Sequence, residues 1–269
     1  MPSTGSGRLP IDAVILTHGV GGNFYSRPML AKLSESLAAS GCAALCVNNR
    51  GHDTIYNATV KGEIRPLGAA HEIVDDCRHD WDAWITLAAS HGFSRIGIWG
   101  HSLGAVKAIY YLSVHPDSRV VCAVASSPPR QDYETYMAKQ PEPYLADYEP
   151  AKKAMDEGDS ERLVTTAYRR RTVFSAQTFV DKYGLGSRYD IFKHLPKASA
   201  PVLVTWGSTE PLPSNPGSVS FFQLPNEAKR LGAAHKHLSF AEIAGADHSY
   251  TGKTGELWAV ARKWYEGLP

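Results

Sequence analysis

Ser102 stands in Gly100-His101-Ser102-Leu103-Gly104, between the apolar run RIGIW and the helical pattern LGAVKAIYYLSVH. A serine hydroxyl is a weak nucleophile until a neighbouring base takes its proton, and G-x-S-x-G at a strand-to-helix turn is the setting in which one is raised into a cleft. The two glycines permit the tight, strained turn, where larger residues would crowd the neighbouring strand and helix. The base is expected among eleven histidines. His248 is favoured because GADHSY directly follows the last strand-like run, and a late histidine after an earlier serine fits the order known for this motif. Attack on a carbonyl also creates an oxyanion, which needs backbone N–H groups already aimed at it. The Leu103 amide, first in the helix after Ser102 and at its positive end, is one expected donor.

These residues are positioned by an alternation of short apolar runs and longer amphipathic ones. AVILT (13–17), CAALCV (42–47), RIGIW (95–99), RVVCAVAS (119–126), PVLVTW (201–206) and HLSFAEI (237–243) read as strands. Helices are expected over 28–40, 71–90, 103–115, the EAKRLGAAH stretch and the final TGELWAVARKWYEGL. Strands alternating with helices imply an α/β fold with a mostly parallel sheet covered on both faces. Ligands of such sheets sit beyond the carboxyl ends of the strands. The loops HGVGG, NNRGHD, GHSLGA, SSPPR, WGSTE and GADHSY should therefore meet at one rim. About twenty residues after NNRGHD read as a long loop.

The HG loop after the first strand, the GHSLGA elbow and the late DH segment, in that order, resemble the α/β-hydrolase family. The resemblance covers residues 11–126 and 200–268 and implies a hydrolase core over 1–127 and 200–269, with 128–199 inserted as a helical cap. Only twelve residues precede the first strand, so the family's leading strands should be reduced. The resemblance also implies that Glu210, in WGSTEPLP, takes the place of the acid that orients the histidine, with Asp247 as its competitor. It gives Val20, or a neighbour in the glycine-rich turn, as the second oxyanion donor.

The insert carries Tyr133, Tyr136, Tyr144, Tyr148, Tyr168, Tyr183 and Tyr189, more than half of the chain's thirteen tyrosines. Tyr133 and Tyr136, with Phe24 near the HG loop, are expected to bind substrate; the competing reading is that the tyrosines pack cap helices. Tyr168-Arg169-Arg170-Arg171 reads as a solvated helix face or as an attractor for an anionic group. His71, Asp75 and His79 fall at helical spacing and read as a solvated face rather than a metal set.

Net charge is +1, with 28 Lys and Arg against 27 Asp and Glu, so no basic stripe points to nucleic acid. No apolar run is long enough to span a bilayer, and MPSTGSGRLP lacks the apolar core of an export signal. Cys42 and Cys46 on one strand would stand about 13 Å apart, too far to bond. Cys77 and Cys122 complete no disulfide or zinc pattern, and a reducing, cytoplasmic setting is expected. The function expected is a serine hydrolase for a small-molecule carboxylic ester of moderate size, without metal or cofactor. The same triad would serve C–C, amide, thioester or lactone cleavage, or persist in a slow-turnover ligand receptor. Oligomeric state leaves no sequence signal.

Overall fold

A computed structural model describes residues 9–167, 172–215 and 217–269. In chain order the elements are β1 (Ala13–Thr17), α1 (Pro28–Ala39), β2 (Ala43–Val47), β3 (Tyr56–Val60), β4 (Glu63–Leu67), α2 (Cys77–Ser90), β5 (Ile96–His101), α3 (Leu103–Val114) and β6 (Val120–Ser126). Then follow α4 (Tyr133–Lys139), α5 (Pro141–Asp156), β7 (Leu163–Thr165), β8 (Val173–Ser175), α6 (Ala176–Tyr183), α7 (Ile191–His194), β9 (Val202–Gly207), α8 (Leu224–Ala234), β10 (Leu238–Ile243) and α9 (Thr254–Glu266).

Six strands form one sheet in the order β10-β9-β6-β5-β1-β2, and every pairing in it is parallel. A strand covered on both faces reads as unbroken apolar sequence, and each residue of β1 and β5 is buried accordingly. Ile15, Ile98, Ala123 and Val204 face one cluster with Trp81, Ile85, Val106 and Ile109 of α2 and α3 and Leu231 of α8. Val14, Leu16, Trp99, Val124 and Leu203 face the other, with Leu30, Leu33 and Leu37 of α1 and Leu257 and Tyr265 of α9. Pro28 presets the first turn of α1. Gly41 ends it at φ 72°, where the Gly41 and Cys42 amides donate back to the Ala38 and Leu37 carbonyls.

Two sequence expectations are corrected. The long loop after NNRGHD holds an antiparallel hairpin, β3–β4, turned at Lys61-Gly62 with both residues at positive φ. The helix expected from His71 begins at Cys77, after a short 3-10 turn at Val74–Asp76. Asp75 consequently does not lie on a solvated face: it accepts from Arg78 and from the Tyr110 hydroxyl at 2.7 Å, and Arg188 pairs with it at 3.1 Å. His71 meets Glu161 at 2.9 Å.

Between β6 and β9 the chain builds its own apolar cluster from Tyr136, Tyr144, Tyr148, Phe174, Phe179 and Tyr183. The segment is fastened to the stretch before α2. The Ser175 amide donates to Ala70 O at 2.6 Å, the Val74 amide to Asp181 at 3.0 Å, and the Asp75 amide to the Tyr189 hydroxyl at 3.0 Å. Beneath this seam lies a buried ionic triad. Glu72 accepts from Lys107 of α3 and, at 3.3 Å, from Lys182 of α6, which also donates to Ala69 O at 3.2 Å. Burial opposes ionisation of Glu72, yet the two ammonium groups hold its carboxyl well below the ordinary carboxylate range. Its carboxylate fills the space a side chain at residue 51 would need: a Cβ on Gly51 would stand 2.1 Å from Glu72 Oε1.

Removing the one carboxylate leaves two buried cations facing a neutral group. Glu72→Gln should lower unfolding stability by about 3–5 kcal/mol in urea titration. A midpoint equal to that of the unmodified protein would show that the triad does not hold the seam.

Candidate active site

At the carboxyl end of β5 the chain must turn sharply into α3, and the motif glycines show why only small residues serve. A Cβ on Gly100 would lie 2.1 Å from the Gly104 carbonyl oxygen, and one on Gly104 would lie 2.5 Å from His18 O. Gly19 closes the third side, since a Cβ there would approach Ser102 Cβ to 2.7 Å. Ser102 is held at φ 57°, ψ −122°, a conformation that costs a non-glycine residue about 1–3 kcal/mol.

The Ser102 Oγ lies 2.9 Å from His248 Nε2, and His248 Nδ1 lies 2.6 Å from Glu210 Oε1. Glu210 is fully buried. Its second oxygen accepts from the Gly207 amide and the Ser127 hydroxyl, each at 2.7 Å. The Tyr250 hydroxyl stands 3.0 Å from Ser127 Oγ and 2.9 Å from Thr205 Oγ1. With one oxygen committed to these donors, the carboxylate presents the other to the imidazole. Asp247 is turned away and accepts from the Ser249 and Thr251 amides at 3.0 and 2.9 Å. Strain gathers here, for Ser127 (φ 50°) and Tyr250 (φ 52°) share the positive φ of Ser102.

Two further histidines flank the site. His101 Nε2 donates to the His248 carbonyl at 2.7 Å, fixing the loop that carries that imidazole. His18 Nδ1 donates to Gly19 O at 2.8 Å, and its Nε2 accepts from the Asn49 amide at 3.4 Å. Burial holds both rings neutral, lowering His18 to about 4 and His101 to about 3, the latter also opposed by His248. Among the described residues nothing accepts from the Leu103 amide, the first of α3, or from the Val20 amide.

Of the loops expected at the rim, those after β1, β5, β6, β9 and β10 reach one cavity of about 350 Å³, lined by Val20, Ser102, Pro129, Asn215 and His248 among others. NNRGHD lies behind it as a brace: Arg50 pairs with Asp76 and Asp80 at 2.9 and 3.0 Å, and the Asp53 amide donates to Gly22 O at 2.9 Å.

The expected substrate contacts fall elsewhere. Tyr136 is buried in the insert's cluster, donating to Arg130 O at 2.7 Å. Tyr133 packs edge-on against Tyr144 and Tyr148. Phe24 is 43% exposed beside Tyr25. None of the three lines the cavity, whose aromatic walls are Phe174, Tyr183 and Phe221. Tyr168 to Arg171 lie outside the described residues. Ser127 and Tyr250 were not expected from the sequence; only Tyr250 carried a signal, two residues beyond His248 in GADHSY. Among the described residues no three His, Cys, Asp or Glu side chains are placed to hold a metal ion, and no helix is long and apolar enough to cross a membrane.

Residues 14–259 match the family model described as "Alpha/beta hydrolase family", and the chain belongs to that family. No curated protein matches the chain significantly. Among solved structures it is similar to Est1E from Butyrivibrio proteoclasticus with ferulic acid bound, at 15% identity and TM-score 0.64, covering 100% of this chain and 92% of that one. It is similar to a monoacylglycerol lipase from Paleococcus ferrophilus at 20% identity and TM-score 0.58, covering 96% and 95%. A soluble variant of monoglyceride lipase from Saccharomyces cerevisiae, in complex with a substrate analog, gives 16% identity and TM-score 0.64, covering 99% and 88%.

Unfolding frees His18 and His101 to bind protons that the folded protein refuses. From about pH 6.5 down toward 4 the unfolded chain therefore binds more protons, and stability falls with pH. The urea midpoint should drop across this range, less steeply in His101→Gln, which keeps a donor for the His248 carbonyl. A flat wild-type profile would contradict neutral buried imidazoles.

Proposed function

We propose that the protein is a serine hydrolase cleaving carboxylic esters of moderate size through Ser102, His248 and Glu210. The observation that carries this reading is the relay itself: a hydroxyl 2.9 Å from one imidazole nitrogen and a buried carboxylate 2.6 Å from the other, open to a cavity. Ser102 Oγ attacks the carbonyl carbon as His248 Nε2 takes its proton. Glu210 accepts the Nδ1–H, fixes the tautomer and offsets the imidazolium charge.

The Val20 and Leu103 amides donate to the oxyanion, the second aided by the positive end of α3. Collapse of the tetrahedral intermediate expels the alcohol, protonated by His248. Water, deprotonated by the same imidazole, then releases the acid and restores Ser102. Residues 128–199 act as the cap on the core formed by 1–127 and 200–269; Pro129, Thr172, Phe174 and Tyr183 from this segment line the cavity, which supports that role. Preference for esters draws support from the similar structures, one named with ferulic acid and two as lipases of monoacylglycerols.

A fluorophosphonate probe should label the wild type and leave Ser102→Ala unlabelled, and a graded p-nitrophenyl ester panel should show many turnovers per site. Glu210→Gln should lower kcat about 10⁴-fold with the fold intact. Labelling that survives in Ser102→Ala would overturn the assignment; labelling without turnover would favour a slow-turnover receptor.

A further inference from the structure

The cavity at Ser102 is lined by one guanidinium, that of Arg27, and by no Asp or Glu among the described residues. Arg27 immediately precedes Pro28, the first residue of α1, and its side chain lies across the HG loop: a Cβ on Gly22 would stand 3.1 Å from both its Nε and a terminal nitrogen. Its Nε is buried and meets no acceptor among the described residues. Among the described residues, other arginines are paired. Arg50 holds Asp76 and Asp80, Arg130 holds Asp132 and Asp190, and Arg188 holds Asp75 and Asp181. Asp53, in the adjoining loop, is already engaged by Asn23, Tyr25 and His52.

A second cavity of about 330 Å³ adjoins the first, lined by His18, Met29, Leu30, Lys32, Tyr250 and others. Arg27, His101 and Ser249 line both, so Arg27 stands where the two meet. The second cavity likewise has no acidic lining residue among those described and adds the ammonium of Lys32. With His18 and His101 neutral, Arg27 and Lys32 supply the fixed positive charge among the described lining residues of the two cavities. A guanidinium that meets no acceptor among the described residues, and that lines the same cavity as Ser102 with no carboxylate in that lining, is suited to an anion, and its planar fork matches a carboxylate.

We propose that Arg27 receives a carboxylate carried by the substrate, so that the favoured ester is one bearing a second, anionic end, such as the half-ester of a dicarboxylic acid. The proposal rests on the serine-hydrolase reading for its reaction and on Arg27 alone for its selectivity. Neutral lipid-like esters would fill the cavity yet leave the guanidinium unpaired.

The test compares p-nitrophenyl hydrogen adipate with p-nitrophenyl heptanoate, a neutral ester of similar length. Wild type should favour the acidic ester at least 10-fold in kcat/KM at low salt, mainly through KM, and the preference should shrink as salt screens the charge. Arg27→Gln should cut the acidic-to-neutral ratio at least 10-fold, and Arg27→Lys should retain part of it. Equal losses on both esters in Arg27→Gln would assign Arg27 a structural role and overturn the proposal, as would a wild-type preference for heptanoate. Calorimetric titration with adipate keeps the binding claim separate from the chemistry. Binding to wild type that weakens at least 10-fold in Arg27→Gln supports it even if no ester turns over, whereas wild-type binding no tighter than the variant's sinks it. Loss of Ser102-dependent labelling would instead strike the hydrolase reading.

Discussion

The backbone approach around Ser102 is the constraint from which the rest follows. Three glycines, Gly19, Gly100 and Gly104, let β1, β5 and α3 come closer than any Cβ would allow, and the serine between them is pressed into a conformation that its own side chain disfavours. A strained residue survives only where its surroundings over-determine it. Here the parallel sheet does so: β5 lies between β1 and β6 in the centre, and the Ser102 amide donates to Ser126 O at 2.9 Å. The same approach brings the HG loop and the first turn of α3 to one point, where the Val20 and Leu103 amides meet no acceptor among the described residues.

Electrostatics complete what geometry begins. A buried carboxylate is costly unless its lone pairs are used, and Glu210 has the Gly207 amide, Ser127 and His248 as partners. Burial pushes the Tyr250 phenol up, with Glu210 adding to the effect, so that this hydroxyl stays neutral within the network. His18 and His101 are kept uncharged by burial, so neither places an imidazolium charge near His248. The buried cations Lys107 and Lys182 are answered by Glu72, at the seam joining the stretch between β6 and β9 to the stretch before α2.

Much of this was legible in the residues because the signals are local. An apolar run bounded by glycine identifies a doubly covered strand, and G-x-S-x-G with a late D-H segment carries its own geometry. The β3–β4 hairpin was not legible: neither YNATV nor EIRPL has a buried residue, so neither presents a buried face that would mark it as a strand. The start of α2 was misjudged because Val74 and Asp75 are fixed by long-range bonds to Asp181 and Tyr189 rather than by helical periodicity. The tyrosines of the insert were ambiguous for a related reason. A phenol suits a pocket wall and a packed core alike, and only tertiary structure separates Tyr183, which also reaches the cavity, from Tyr136, which lies in the cluster alone. Arg27 has no local signature at all, since its significance lies in the carboxylates that are not beside it.

The most direct test of the account is the crystal structure of the protein after reaction with diethyl p-nitrophenyl phosphate. Phosphorus bonded to Ser102 Oγ, with the phosphoryl oxygen within hydrogen-bond distance of both the Val20 and Leu103 amides, is the predicted result. An adduct on another residue, or an oxygen turned away from those two amides, would contradict it.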